Sequence, residues 1–331
     1  MKLGVVLSGG GAKGAYEAGF LKALSELNIQ PDAIAGTSIG AITGAICSAN
    51  IDIHKSADIV EKLWLELARE TALQFDKKKL HLNLIDVISF FAPIPQTNIV
   101  KIINSLKISL SKEGILTNLP LINRLQKYAP PEMLKTGLPF YVGYSKSYGN
   151  FLDLLHFLNL KEIDAEYKKI QDLSDNEIHK AIMASAALPL LFDAIEVEGE
   201  HKRDGCLASQ KEEWGNTPAY PLVKYEKCTH LIICHLNKGS SFNRLNPIFK
   251  NIPIIEIRPN ENIFNNSLDS LSFKIEKIKE WMDFGYKDSI KILKDSIETI
   301  KLIQKRKAME MLSDYSIEKL KNRNFKLNFD D

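Results

Sequence analysis

Ser38 is the residue of this chain best placed to do chemistry. It lies in Gly36-Thr37-Ser38-Ile39-Gly40, a G-x-S-x-G sequence. This is the form of a nucleophile elbow, in which glycines allow a tight strand-to-helix turn and the serine hydroxyl projects at the helix N-terminus. Upstream, Ser8-Gly9-Gly10-Gly11-Ala12-Lys13-Gly14 offers several backbone N–H groups able to converge on one developing negative charge. A nucleophile beside a donor-rich loop is the core of a serine hydrolase.

A serine needs a base to be nucleophilic at neutral pH. Seven histidines are available: His54, His81, His156, His179, His201, His230 and His235. His54, His81 and His179 sit in charged, helical contexts and read as surface residues. His235 ends an apolar run, where a catalytic residue could sit, although a structural role is the commoner one there. The alternative is a carboxylate acting directly on the serine. Asp204, in Arg203-Asp204-Gly205 after a predicted hairpin, is a candidate, but an Asp-Gly pair alone is usually just a turn.

The elements around these residues read as alternating strand and helix. Leu3 to Leu7 is a buried strand, Ala15 to Leu27 a helix, Ala33 to Ala35 a second strand, and Ile39 to Ala49 a small-residue helix suited to close packing on a sheet. Short returns of this kind fit right-handed parallel crossovers and predict an α/β fold. Residues 51–137 are mostly helical by pattern and form an insert or lid. Within them, Leu84 to Ile94 reads as a core helix or as a lipid-facing segment over the site. Pro139 to Tyr144 reads as a strand in a hairpin with Phe151 to Leu155, and Ala194 to Val197 with the residues around His201 as another hairpin, with Gly199 in its turn. Ile178 to Leu188 is helical. Leu231 to His235 and Ile252 to Ile257 read as buried strands. From about Ser267 the chain is charged and helical, either a docked solvated tail or a surface for a partner or membrane.

Composition narrows the class. The chain has 331 residues, 45% hydrophobic and 25% charged, with a net charge of +2, so nothing marks it as a nucleic-acid binder. Cys47, Cys206, Cys228 and Cys234 lack metal-type spacing and point to a reducing compartment. No metal or other cofactor is implied. No signal-peptide pattern opens the chain, and no apolar run approaches the ~20 residues of a membrane-spanning helix. These features predict a cytoplasmic protein, peripheral at membranes, that meets any lipid at a membrane or micelle surface. No protein partner is implied.

Four motifs together resemble the patatin-like phospholipase family: Gly9-Gly10-Gly11-Ala12-Lys13-Gly14, Gly36-Thr37-Ser38-Ile39-Gly40, Ala184-Ser185-Ala186-Ala187-Leu188-Pro189 and Asp204-Gly205. They occur in the family's order over about two hundred residues. The resemblance implies a three-layer α/β/α fold with a mainly parallel central sheet. It implies a hydrolase domain over 1–262, and the charged helical pattern beyond it reads as an extension over 263–331. It also implies hydrolysis of lipid acyl esters, as by a phospholipase A or lysophospholipase, through a Ser–Asp dyad without histidine or metal. Carried over, Ser38 is the nucleophile and Asp204 the base. Gly9, Gly10 and Gly11 form the oxyanion hole, with the Ile39 N–H as a further donor. Lys13, Gly14, Gly36, Gly40 and Gly205 support the loops. An acyl chain also needs an apolar groove, for which residues 84–100 and the helix after Ser38 are the candidate walls.

Three features depart from the family pattern. Cys206 stands where the family has Gly or Ala, and would be strained if that position needed positive φ. His201-Lys202-Arg203 precedes Asp204, where cations are expected to lower its basicity. Asn216-Thr217-Pro218 follows a longer polar insert, 207–215. The departures keep in view an inactive member that binds lipid or partner as a scaffold. Two other readings compete. Gly9-x-Gly11-x-x-Gly14 also fits a dinucleotide loop, but the place of the ribose-binding acid is taken by Gly36-Thr37-Ser38. A histidine-triad α/β-hydrolase would place several strands before its elbow, and only one precedes this one.

Overall fold

The computed structural model describes residues 1–70, 119–157, 160–189, 191–208, 215–240, 244–260 and 273–324. The apolar stretch 84–94, the groove wall proposed for 84–100, His81 and most of the 207–215 insert lie outside these residues. Two compact units divide the chain, Lys2–Ser289 and Ile290–Asp331 with Met1.

The first unit is built on a mixed, mostly parallel eight-stranded sheet flanked by helices. Strand β1 (Leu3–Leu7) leads through helix α1 (Ala15–Glu26) to β2 (Ala33–Thr37), which pairs beside it in parallel. Helices α2 (Ile39–Asn50), α3 (Ile53–Glu70), α4 (Leu119–Tyr128) and α5 (Pro131–Thr136) then precede β3 (Phe140–Lys146), parallel to β2. After α6 (Asn150–Phe157) come β4 (Glu166–Lys169), α7 (Asp175–Ala184), β5 (Ile195–Val197) and β6 (Glu200–Asp204). β4 and β6 both run antiparallel to β3, and β5 and β6 form the expected hairpin, with Gly199 in its turn at φ 82°. Helix α8 (Tyr220–Lys224) precedes β7 (His230–Cys234) and β8 (Ile254–Ile257), which extend the sheet on the far side of β1. The path reaches β1 in the order β3-β2-β1-β7-β8. The chain therefore reverses its winding between β1 and β7, and such a switch point, at the carboxyl ends of the strands, is where sheets of this kind commonly bind their ligands.

Alternation along the strands sends one set of side chains to each face. Gly44 of α2 lies against Phe140 and Ile34, so α2 covers the face that these residues share. Val6, Ala35, Tyr141 and Ile233 fill the opposite face with Ala219, Leu222 and Phe249. Helices thus lie on one side, and α8 with the short turn Pro247–Phe249 on the other.

One predicted pairing is corrected. Residues 151–155 form part of helix α6 and pair with no strand. Gly149, at φ 96°, turns the chain out of the β3 line, and Asp153 fixes the start of the helix by accepting from Tyr148 N–H (2.8 Å) and Ser147 Oγ (2.6 Å). A short run of mostly apolar residues cannot by itself distinguish strand from helix.

Helix α9 (Ile275–Asn324) begins in the first unit, where Trp281 is buried and Tyr16 Oη donates to Asp288 Oδ2 at 2.9 Å. Its continuation forms the second unit, where Met309, Leu312, Tyr315 and Ile317 are exposed. Among the described residues, no helix is long and apolar enough to cross a membrane.

Candidate active site

Ser38 sits between β2 and α2 with φ 56° and ψ −123°. A non-glycine residue at positive φ is strained and persists only where its surroundings hold it. The surroundings here are tight. A Cβ on Gly40 would lie 2.3 Å from the Leu7 carbonyl oxygen, and one on Gly36 would lie 2.2 Å from the Gly40 oxygen. Both positions therefore need glycine for the elbow to close onto β1.

The glycine loop comes down on the elbow from the neighbouring strand. A Cβ on Gly9 would lie 2.9 Å from Ser38 Cβ, and one on Gly14 would lie 2.7 Å from Ile39 Cγ1. Gly11 adopts φ 59°, a left-handed turn that glycine makes without strain. The Gly9 N–H is committed to the Asn216 carbonyl at 3.4 Å. Among the described residues, the N–H groups of Gly10, Gly11 and Ile39 have no acceptor. These are the donors left to receive an anion. Lys13 is tied down, its Nζ donating to Asn237 Oδ1 (2.7 Å) just after β7.

Asp204 ends β6, in register with Tyr144 of β3, and is fully buried. Its Oδ1 accepts the Cys206 N–H at 2.9 Å, while the buried Oδ2 has no hydrogen-bond partner among the described residues. Burial pushes the carboxyl up to about 6, against smaller opposing effects of the Cys206 N–H and of the Ser38 hydroxyl. The structure therefore brings Ser38 to the Asp204 carboxylate, without a close hydrogen bond between them. Such bonds are often long before substrate binds. Gly205 packs on β3, where a Cβ would lie 2.7 Å from the Gly143 oxygen.

The cations before Asp204 do not act on it as the sequence led us to expect. Alternation along β6 turns Arg203 away, into a buried pair with Asp153 Oδ2 (3.0 Å) and a bond to Asn150 Oδ1 (2.6 Å). Lys202 is neutralised by Glu166 (2.6 Å) and Glu200 (2.7 Å). Desolvation wins, and the carboxyl rises rather than falls. Cys206 lies in a 3-10 turn without positive φ, so the strain considered for it does not arise.

His235 is fully buried at the end of β7, its Nε2 3.2 Å from Glu256 Oε2, and Glu256 also holds Arg244 and Arg258. Among the described residues, no hydrogen bond or ion pair joins it to Ser38 or Asp204. His54 is exposed, as expected, whereas His179 is half-buried and its Nε2 meets the Ala129 carbonyl at 2.8 Å.

Three supporting residues were not assigned roles from the sequence. Ser185 Oγ accepts the Ser38 N–H at 2.9 Å and donates to the Gly143 carbonyl at 2.5 Å. Asn216 grips Gly9 through both its backbone and its side chain, and Thr217 Oγ1 lies 3.2 Å from Ser8 Oγ. The signals were present, in the A-S-A-A-L-P block and in Asn216-Thr217-Pro218. No metal-ligand cluster of His, Cys, Asp and Glu occurs among the described residues.

A strained serine between a parallel strand and its following helix, with a glycine loop against it, gives this α/β protein the strand–turn–helix geometry of an elbow. A family model described as patatin-like phospholipase matches residues 5–211, and the chain belongs to that family. A patatin-like phospholipase domain-containing protein of Caenorhabditis elegans is 49% identical over 52 residues, covering 16% of this chain and 5% of that protein. The lysophospholipase nte1 of Aspergillus terreus is 49% identical over 51 residues, 15% of this chain and 3% of its own length. The match thus spans a small fraction of these relatives. Among solved structures, VipD from Legionella pneumophila is similar with a TM-score of 0.43 and 16% identity, over 89% of this chain and 67% of that one. The ExoU–SpcU complex of Pseudomonas aeruginosa gives a TM-score of 0.35 and 15% identity, over 90% and 52%.

Proposed function

We propose that the chain is a serine lipid acyl hydrolase of phospholipase A or lysophospholipase type, with Ser38 as nucleophile and Asp204 as its base. The observation that carries this reading is the buried, unpartnered Asp204 Oδ2 beside a serine held at φ 56°. Ser38 Oγ attacks the ester carbonyl as its proton passes to Asp204. The oxyanion formed lies against the N–H groups of Gly10, Gly11 and Ile39, each such donor contributing about 3 kcal/mol to lowering the barrier. Collapse expels the alcohol or lysophospholipid, which takes the proton from Asp204. Water then attacks acyl-Ser38 with Asp204 again as base, and the fatty acid is released.

Burial makes Asp204 a stronger base than an exposed carboxylate, which suits it to a task usually given to histidine. The acid must be ionised to work, so activity falls about tenfold per pH unit below its pKa of about 6. The test is fatty-acid release from phospholipid and lysophospholipid micelles. Wild type should release it, and Ser38→Ala and Asp204→Asn should not. Release by a folded Ser38→Ala variant would overturn the reading.

A further inference from the structure

The block Ala184-Ser185-Ala186-Ala187-Leu188-Pro189 takes no part in the chemistry above, yet it touches both residues that do. Ser185 follows the last residue of α7 and is fully buried, and its hydroxyl makes no bond within its own turn. That hydroxyl accepts the Ser38 N–H (2.9 Å) and donates to the Gly143 carbonyl (2.5 Å). Two residues on, the Ala187 carbonyl accepts the Asp204 N–H at 3.2 Å. Gly143 in turn packs directly against Gly205. One short turn therefore holds the backbone of the elbow serine and that of the buried carboxylate, which the chain otherwise supplies from strands β2 and β6.

We propose that the Ser185–Ala187 turn is a positioning clamp that fixes the separation of Ser38 and Asp204, with the Ser185 hydroxyl as its adjustable member. The inference rests on the reading of these two residues as a dyad. The physical need is specific. A serine at positive φ relaxes unless its peptide groups are held, and the Ser38 N–H has Ser185 as its partner. Alanine at 185 leaves that N–H and the Gly143 carbonyl unpaired in the interior, where neither can be hydrated. The elbow then relieves its strain by rotating, and Ser38 Oγ moves relative to Asp204. A displacement of about 1 Å is enough to slow a reaction about a hundredfold. Asp204 keeps its own clamp, because the Ala187 acceptor is backbone.

The test compares the full-length wild type with Ser185→Ala and with Ser145→Ala. The latter removes a fully buried hydroxyl of β3 that has no hydrogen-bond partner among the described residues. Two readouts are taken: site-resolved amide hydrogen exchange, and the rate of Ser38 modification by a fluorophosphonate. Ser185→Ala is expected to lose protection at the Ser38 amide while keeping it at Asp204. Its modification rate should fall ten- to a hundredfold with the same pH midpoint, and Ser145→Ala should match wild type in both. Unchanged Ser38 protection with an unchanged rate would overturn the clamp. So would a loss of protection spread evenly through the fold, which is the mark of general destabilisation. If wild type is not modified at all, the hydrolase reading fails, and the exchange pattern still decides whether Ser185 holds the elbow.

Discussion

Replacing Asp204 by asparagine should make the protein more stable as it removes the base. Asparagine keeps the oxygen that accepts from Cys206 and deletes the charge. The native carboxyl is raised from 3.8 to about 6, with burial the leading cause. A raised acid contributes its stabilising neutral form fully below its unfolded pKa, and that contribution is lost as pH rises through the folded value. Wild type and Asp204→Asn should therefore be similar below about pH 4 and diverge between pH 4 and 7. At 1.36 kcal/mol per unit the gap amounts to about 3 kcal/mol above pH 7. That corresponds to a rise in Tm of roughly 5 °C or more in the variant. Thermal unfolding followed by circular dichroism at pH 4, 5, 6, 7 and 8 measures the difference directly. A gap that is flat with pH, or a wild type that gains on the variant as pH rises, would refute the reasoning. The first would mean that burial leaves the carboxyl unshifted, and the second that charge pairing rather than burial governs Asp204. The expected trade of stability for basicity is common at functional sites.

Other perturbations probe the frame around the site. Gly19→Ala should unfold at markedly lower denaturant concentration, because a Cβ there would lie 1.9 Å from the Met282 carbonyl oxygen, where α1 crosses the start of α9. Asp153→Ala should cost about 3–5 kcal/mol in chemical denaturation, since it leaves the Arg203 charge buried without its carboxylate. Glu17→Gln should remove a loss of stability that runs from mildly acidic to neutral pH. Glu17 of α1 is fully buried with neither oxygen partnered, and burial raises it to about 8 against a small opposing effect of Thr43. Its neutral form supports the fold fully below the unfolded value of 4.5, and that support is lost as pH rises to about 8, so wild type should fall progressively behind the variant from about pH 4.5 to 8 and trail it by a constant margin above.

The strand–loop–helix repeats around Ser38 were legible because glycine spacing and apolar runs are local signals, and they set β1, α1, β2 and α2 within a few residues. The 195–204 hairpin was legible for the same reason. Residues 150–157 were not, because their helix depends on Asp153 reaching back to Ser147 and Tyr148, and an apolar run gives no sign of that. The candidate site was readable as residue types but not as electrostatics. Three basic residues before Asp204 suggested a weakened base. Strand alternation turns Arg203 aside, and Glu166 of β4 together with Glu200 absorbs the charge of Lys202, pairings that only the folded chain reveals. Ser185 stood in a recognised block, yet its bond to Ser38 joins residues 147 apart and leaves no trace in local pattern.

The most direct test of the central claim is modification of the purified protein by a fluorophosphonate, with the labelled peptide identified by mass spectrometry. Wild type should be labelled at Ser38, with a rate that falls below pH 6, and labelling should vanish in Ser38→Ala and in Asp204→Asn. Labelling of Ser38 that persists at the wild-type rate in a folded Asp204→Asn variant would contradict the account, and would assign the base to another residue.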